Sequence, residues 1–120
     1  MDMECLQAEE NMDKKRHKFC LFIPSKFKGK KIKRKIRNQV LKECTALFCQ
    51  TLGGATVTKG IGYWNSVIGT VQEDIYLVMG FGDGNFELIV PKLLKFCQKM
   101  KDNLFQDRVA LEIDGALYII

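Results

Sequence analysis

Two stretches of helical periodicity, 32–52 and 86–104, bracket a pair of strand-like runs, and that order narrows the fold more than any composition figure. The first strand candidate, His17–Ile23 (HKFCLFI), is an apolar run stopped by Pro24-Ser25. The helix that follows sets Ile36, Val40, Cys44, Leu47 and Phe48 along one face. Lys31, Lys35, Asn38 and Lys42 fall on the opposite one, the amphipathic pattern of a helix lying on a core. Gly53-Gly54 stops it, because glycine enters the left-handed region without a Cβ penalty. Ala55–Trp64 and Val71–Met79 read as strands joined through 65–70 (NSVIGT), and Gly80–Asn85 (GFGDGN) as a flexible link. The second helix is expected to bury Phe86, Ile89, Val90, Leu93, Leu94, Cys97 and Met100. Pro91 either sits in the first turn of a shorter helix or kinks a longer one. Arg108–Ile113 is a strand, and Asp114-Gly115 turns the chain into a last strand, Ala116–Ile120.

Strand, helix, strand, strand, helix, strand is the ferredoxin-like order. It predicts an α+β fold: a split β-α-β-β-α-β antiparallel sheet with an extra C-terminal strand and both helices on one face. Residues 1–15 read as a loose acidic arm without periodicity, and 16–120 as one ferredoxin-like domain, a length that supports a single core. Phe22, Trp64, Tyr76 and Val78 are candidates for the sheet face that no helix covers. An apolar uncovered face predicts a homo-oligomer, a dimer or a trimer.

The charge pattern is the second constraint. Thirteen of the nineteen Lys and Arg residues lie between Lys14 and Lys42, a stretch without a single acid. Its centre, Lys26–Arg37 (KFKGKKIKRKIR), holds eight cations in twelve positions. With no Glu or Asp interleaved for pairing at i,i+4, these side chains repel one another, and a phosphate, a nucleic acid or an acidic protein face would relieve the repulsion. The longest apolar runs fall short of the roughly 18 residues that span a bilayer, and the N-terminus lacks the order of a secretory leader, so the expected location is cytoplasmic. Five cysteines without a C-x-x-C pair, and a single His, argue for reduced thiols and against a zinc site; Cys20, Cys44 and Cys97 fall on apolar faces.

Gly53–Trp64 (GGATVTKGIGYW) packs four glycines, Thr56, Thr58 and two adjacent aromatics into twelve residues. Such density suits either a bent strand with a core aromatic, or a groove where backbone N–H groups and hydroxyls meet an anion while Tyr63 or Trp64 stacks on a ring. The order Gly54-x-Thr56-Val57, Gly62-x-Trp64, Glu73, then Phe105-Gln106-Asp107-x-Val109 resembles a small uncharacterised bacterial ferredoxin-like domain family over roughly residues 45–113. That resemblance implies the fold and importance for these positions, and no particular activity. The same topology is used by PII-type nitrogen regulators and ACT domains, which bind small ligands between subunits.

No catalytic set emerges. Glu73 and Asp74 are adjacent on a strand and face opposite sides, GFGDGN lacks the spacing of a dinucleotide fingerprint, and Ile23-Pro24-Ser25-Lys26 offers no metal-binding Asp. The expectation is a non-catalytic, oligomeric binding module for a phosphate-bearing small molecule, nucleotide-like, with neither metal nor cofactor. Its ligand-binding residues would be Lys26, Lys28, Lys30, Lys31, Arg34, Gly53, Gly54, Thr56, Gly62, Tyr63, Trp64 and Glu73. The alternatives are nucleic-acid binding through the basic loop and first helix, and an inhibitor or adaptor docking its basic face on an acidic protein.

Overall fold

The computed structural model describes residues 14–84 and 86–120. Most of the expected acidic arm, with Cys5, lies outside the described residues. The elements run β1 (His17–Pro24), β2 (Lys26–Phe27), β3 (Lys30–Lys31), α1 (Arg34–Leu52), β4 (Thr56–Ser66), β5 (Gly69–Gly82), α2 (Phe86–Asn103), β6 (Ala110–Ile113) and β7 (Ala116–Ile119). Five strands form one sheet in the order β4-β5-β1-β6-β7, every neighbouring pair antiparallel. This is the expected α+β, ferredoxin-like arrangement with an additional C-terminal strand.

Side-chain alternation decides which residues make the core. Phe19, Leu21 and Ile23 of β1, Val78 of β5, and Leu111 and Ile113 of β6 share the helix-covered face, in register across the pairs Phe19↔Ile113 and Leu21↔Val78. Against them α1 packs Val40, Cys44, Phe48 and Leu52, and α2 packs Ile89, Leu93, Cys97 and Met100. Each fully buried large side chain contributes about 1.5–3 kcal/mol relative to exposure, so this layer accounts for most of the driving force. At the end of α1, Gly53 takes φ 87 and its N–H bonds the Cys49 carbonyl at 3.0 Å. Lys15 Nζ donates to the freed Leu52 carbonyl at 3.0 Å, placing a cation at the negative end of the helix. No described helix is long and apolar enough to cross a membrane.

Four local expectations are corrected. Tyr76 and Val78 point towards the helices, because they pair with Ile23 and Leu21, whereas Phe22 and Trp64 do take the open face. Gly80 and Gly82 are not linker: they belong to β5 and lie under α1. A Cβ on Gly80 would meet Leu52 Cδ1 at 2.8 Å and the Gly54 carbonyl at 2.9 Å, so the glycines let helix and strand approach. Phe86 and Leu94 are exposed, and Phe86 packs instead on the His17 ring, centroids 4.9 Å apart. The six-residue connection at 65–70 is a two-residue turn, Val67-Ile68, tightened by the Ser66 hydroxyl, which donates to the Gly69 carbonyl at 3.0 Å and accepts the Ile68 N–H at 3.2 Å.

Two further features shape the surface. Pairing of β1 with β5 ends at Pro24↔Ile75, while β4 and β5 stay paired to Ser66↔Gly69. Residues 61–74 therefore project as an arm, and the molecule extends 57 × 29 × 23 Å. The basic loop folds as a miniature hairpin, Lys26↔Lys31 and Phe27↔Lys30, turning through Lys28 (φ 47) and Gly29 (φ 79).

Candidate functional site

A groove of about 600 Å³ lies on the open sheet face, where the arm leaves the body of the sheet. Its floor follows from strand parity. Phe22 and Pro24 of β1, Gly62 and Trp64 of β4, Ile75 of β5, and Leu117 and Ile119 of β7 all point away from the helices. Gly62 leaves room there, since a Cβ at that position would touch the Trp64 ring at 3.5 Å and Ile75 at 3.6 Å. Trp64 retains 43% of its exposure, so one indole surface faces the cavity and solvent.

Into this apolar floor the chain sets one carboxylate. Glu73 is 8% exposed, and its Oε2 accepts the Ser25 N–H at 3.4 Å. Burial pushes the Glu73 carboxyl above the ordinary carboxylate range; backbone N–H groups of Ser25 and Lys26 and the charge of Lys26 pull the other way and only partly offset it. Gln106 and Arg108 border the opposite wall. Gln106 Nε2 donates to the carbonyls of Lys26 (2.8 Å) and Leu104 (3.0 Å), tying the end of α2 to the basic hairpin. Arg108 donates to the Ile119 carbonyl at 3.2 Å and is otherwise exposed. The groove thus offers an apolar bed, an aromatic plate, a desolvated carboxyl and one guanidinium, the mixture typical of small-molecule sites.

The residues singled out in the sequence divide among three places. Gly62, Tyr63, Trp64 and Glu73 line the groove. Lys26, Lys31 and Arg34 line a recess on the helix side of the arm, and Lys28 and Lys30 stand exposed on the hairpin turn. Gly53, Gly54 and Thr56 lie at the far end of β4, Thr56 opposite Met79 and Gly54 against Gly80, away from the arm. Gln106 and Arg108 were not read as site residues. Gln106 carried a signal in the F-Q-D-x-V run; Arg108 carried none, because its place depends on β7 folding back beside β6. His17 is a structural residue: its Nδ1 lies 2.7 Å from Asp114 Oδ2, and Asp114 Oδ1 accepts the Lys18 N–H at 2.8 Å. The His17 bond, chiefly, and that N–H hold the Asp114 carboxyl below its usual range. Among the described residues no three His, Cys, Asp or Glu side chains converge as metal ligands. Cys20, Cys44 and Cys97 are buried free thiols, and burial pushes all three up, Cys44 the furthest and Cys97 to about 11, leaving them unreactive.

No family model matches the chain, and no curated protein matches it. Two solved structures of a phage SAM lyase are similar to it. The apo form has a TM-score of 0.69 and the complex with S-methyl-5'-thioadenosine 0.70; both are 16% identical, and the match covers 91% of this chain and 94% of that one. At this identity the likeness establishes a shared fold along nearly the whole of both chains.

Proposed function

We propose that the chain is a lyase of an adenosyl sulfonium, binding S-adenosylmethionine in the open-face groove and releasing S-methyl-5'-thioadenosine. The observation that carries this reading is the near-full-length likeness to a phage SAM lyase, one structure of which holds S-methyl-5'-thioadenosine, taken together with the chemistry of the groove. A groove of about 600 Å³ is within the range of drug-sized ligands. Trp64 stacks on the adenine ring, and Arg108 pairs with the carboxylate of the amino-acid end. Glu73 sits against the sulfonium, whose positive charge favours its ionised form and offsets the burial that disfavours it. In the reaction an oxygen of the substrate's own carboxylate bonds to the γ-carbon as the bond from that carbon to sulfur breaks, its electron pair staying on sulfur. The neutral thioether leaves beside a four-carbon amino lactone, and water is not consumed.

This reading keeps the nucleoside expected from the sequence and drops both its phosphate and the non-catalytic role: the groove lining has one cation and one carboxylate, a poor match for phosphates and a good one for a sulfonium zwitterion. A second copy of the chain covers the arm tip, where Val67 at 106% and Ile68 at 88% exposure are left wet in the single chain. Incubation of the purified chain with S-adenosylmethionine, followed by mass spectrometry, tests the reading. Thioadenosine should accumulate as substrate disappears, and Glu73→Gln should slow this about 100-fold or more. Binding of thioadenosine without turnover would return the chain to a non-catalytic binder; neither binding nor turnover would end the reading.

A further inference from the structure

The basic segment makes a second surface, on the other side of the same arm. Two recesses meet there and share Arg37 and Asp74. One, about 330 Å³, is lined by Ser25, Lys26, Lys31, Ile32 and Arg34, and the other, about 260 Å³, by Lys59, Gly60, Ile61, Ile75 and Tyr76. Together they form a furrow with five cations (Lys26, Lys31, Arg34, Arg37 and Lys59) and one acid, Asp74. The ion pairs within 4.0 Å among the described residues are His17–Asp114, Lys18–Glu112 and Lys99–Glu43, so none of these five cations is paired with a carboxylate of the described residues.

The furrow is also held in shape, unlike a merely solvated charge run. Ile32 N–H bonds the Ser25 carbonyl at 2.8 Å, Lys26 Nζ reaches the Gln72 carbonyl at 3.2 Å, and Gln106 grips the Lys26 carbonyl. The Arg37 guanidinium lies 4.9 Å from the Tyr76 ring centre and Lys59 Nζ 5.8 Å from the same ring, so both cations are placed by cation–π contact. Arg37 Nε is buried without an acceptor. At the hairpin, Phe105 packs on the half-buried Phe27 with centroids 5.9 Å apart and remains 57% exposed. Phe105 holds φ 56, a conformation that costs a bulky residue free energy and clusters at functional sites.

Cations along a furrow, with Lys26, Arg37 and Lys59 held by protein contacts and a presented ring at its side, are the two parts of a single-stranded nucleic-acid site: phosphates on the cations, a base on the ring. An acidic protein face would use the charges and leave the ring without a role. We propose that this furrow binds single-stranded nucleic acid, phosphates lying on Lys26, Lys31, Arg34, Arg37 and Lys59 and a base stacking on Phe105. The site is separate from the open-face groove and does not depend on the activity assigned to it.

Fluorescence anisotropy of the full chain with a labelled 20-nucleotide oligo-dT provides the test. With about five phosphates engaged, the dissociation constant should rise about 100-fold between 50 and 200 mM salt. Lys31→Gln/Arg34→Gln/Lys59→Gln, all at exposed positions, should weaken binding at least tenfold at 50 mM salt while thioadenosine binding is unchanged. Phe105→Ala should weaken the oligonucleotide about fivefold or more and leave inorganic polyphosphate binding unaltered. Should Phe105→Ala fail to fold, Phe105→Asn, which tolerates the left-handed backbone, replaces it. Equal displacement by poly-glutamate of the same charge, binding indifferent to the triple substitution, or no binding at 50 mM salt would each overturn the proposal.

Discussion

The two sides of the β4–β5 arm carry opposite chemistry although they are built from alternate residues of the same two strands. Gly62, Trp64, Glu73 and Ile75 face an apolar groove with a single desolvated carboxyl. Their immediate neighbours, Ile61, Asp74 and Tyr76, with Lys59, face a furrow dominated by cations. Glu73 and Asp74 make the contrast sharpest. One chain position apart, the first is pushed up by burial, while the second lies exposed among lysines and arginines. A period of two lets one hairpin present two chemically different surfaces, since successive side chains point to opposite faces.

The most severe way to break this arrangement is to unseat α1 from β5, the strand that carries both surfaces. Gly80→Val places a side chain where even a Cβ would sit 2.8 Å from Leu52 and 2.9 Å from the Gly54 carbonyl. It should cost about 3 kcal/mol, read from the midpoint of urea unfolding, and should abolish both binding activities together. Trp64→Ala is the sharper instrument because it touches one face only. Thioadenosine affinity should fall about tenfold by calorimetry, with oligonucleotide affinity unchanged. Loss of both would mean that the two surfaces are one site.

The smallest effect, and the most diagnostic of burial, is on stability at Glu73. A carboxyl whose folded pKa is raised contributes stability below its unfolded pKa and loses that contribution as pH rises through the folded value. Glu73→Gln, which cannot ionise, should therefore melt at or above the parent at pH 7, and that difference should vanish below about pH 4. A variant less stable than the parent at pH 7 would show that ionised Glu73 is favoured by its neighbours, contrary to the burial argument.

The fold was readable because periodicity reports burial directly. Val40, Cys44 and Phe48 recur at helical spacing and are buried together; Asp114-Gly115 demanded a tight hairpin and makes one, with both residues at positive φ. The errors share a cause. Gly80 and Gly82 were read as linker because local preference treats glycine as a break, whereas here Leu52 occupies the space their side chains would have filled. Tyr76 and Val78 were placed on the wrong face because strand parity depends on pairing with β1, which no local pattern encodes. Half of the groove was visible as the run Gly62–Trp64 and Glu73. In the other wall only Gln106 had a sequence signal; Arg108, Leu117 and Ile119 had none, since that wall is assembled from the far end of the chain.

By itself the sequence determined the order of elements, the amphipathic faces of both helices and the concentration of positive charge before and within the first helix. Those properties are local, set by the spacing of apolar and charged residues along a few turns or a few strand positions. Only the tertiary structure decided that this charge lines one side of the arm while Trp64 and Glu73 line the other. That partition is fixed by inter-strand register and by where β1 stops pairing with β5. Both are set by long-range hydrogen bonding and packing, not by any residue's own preference.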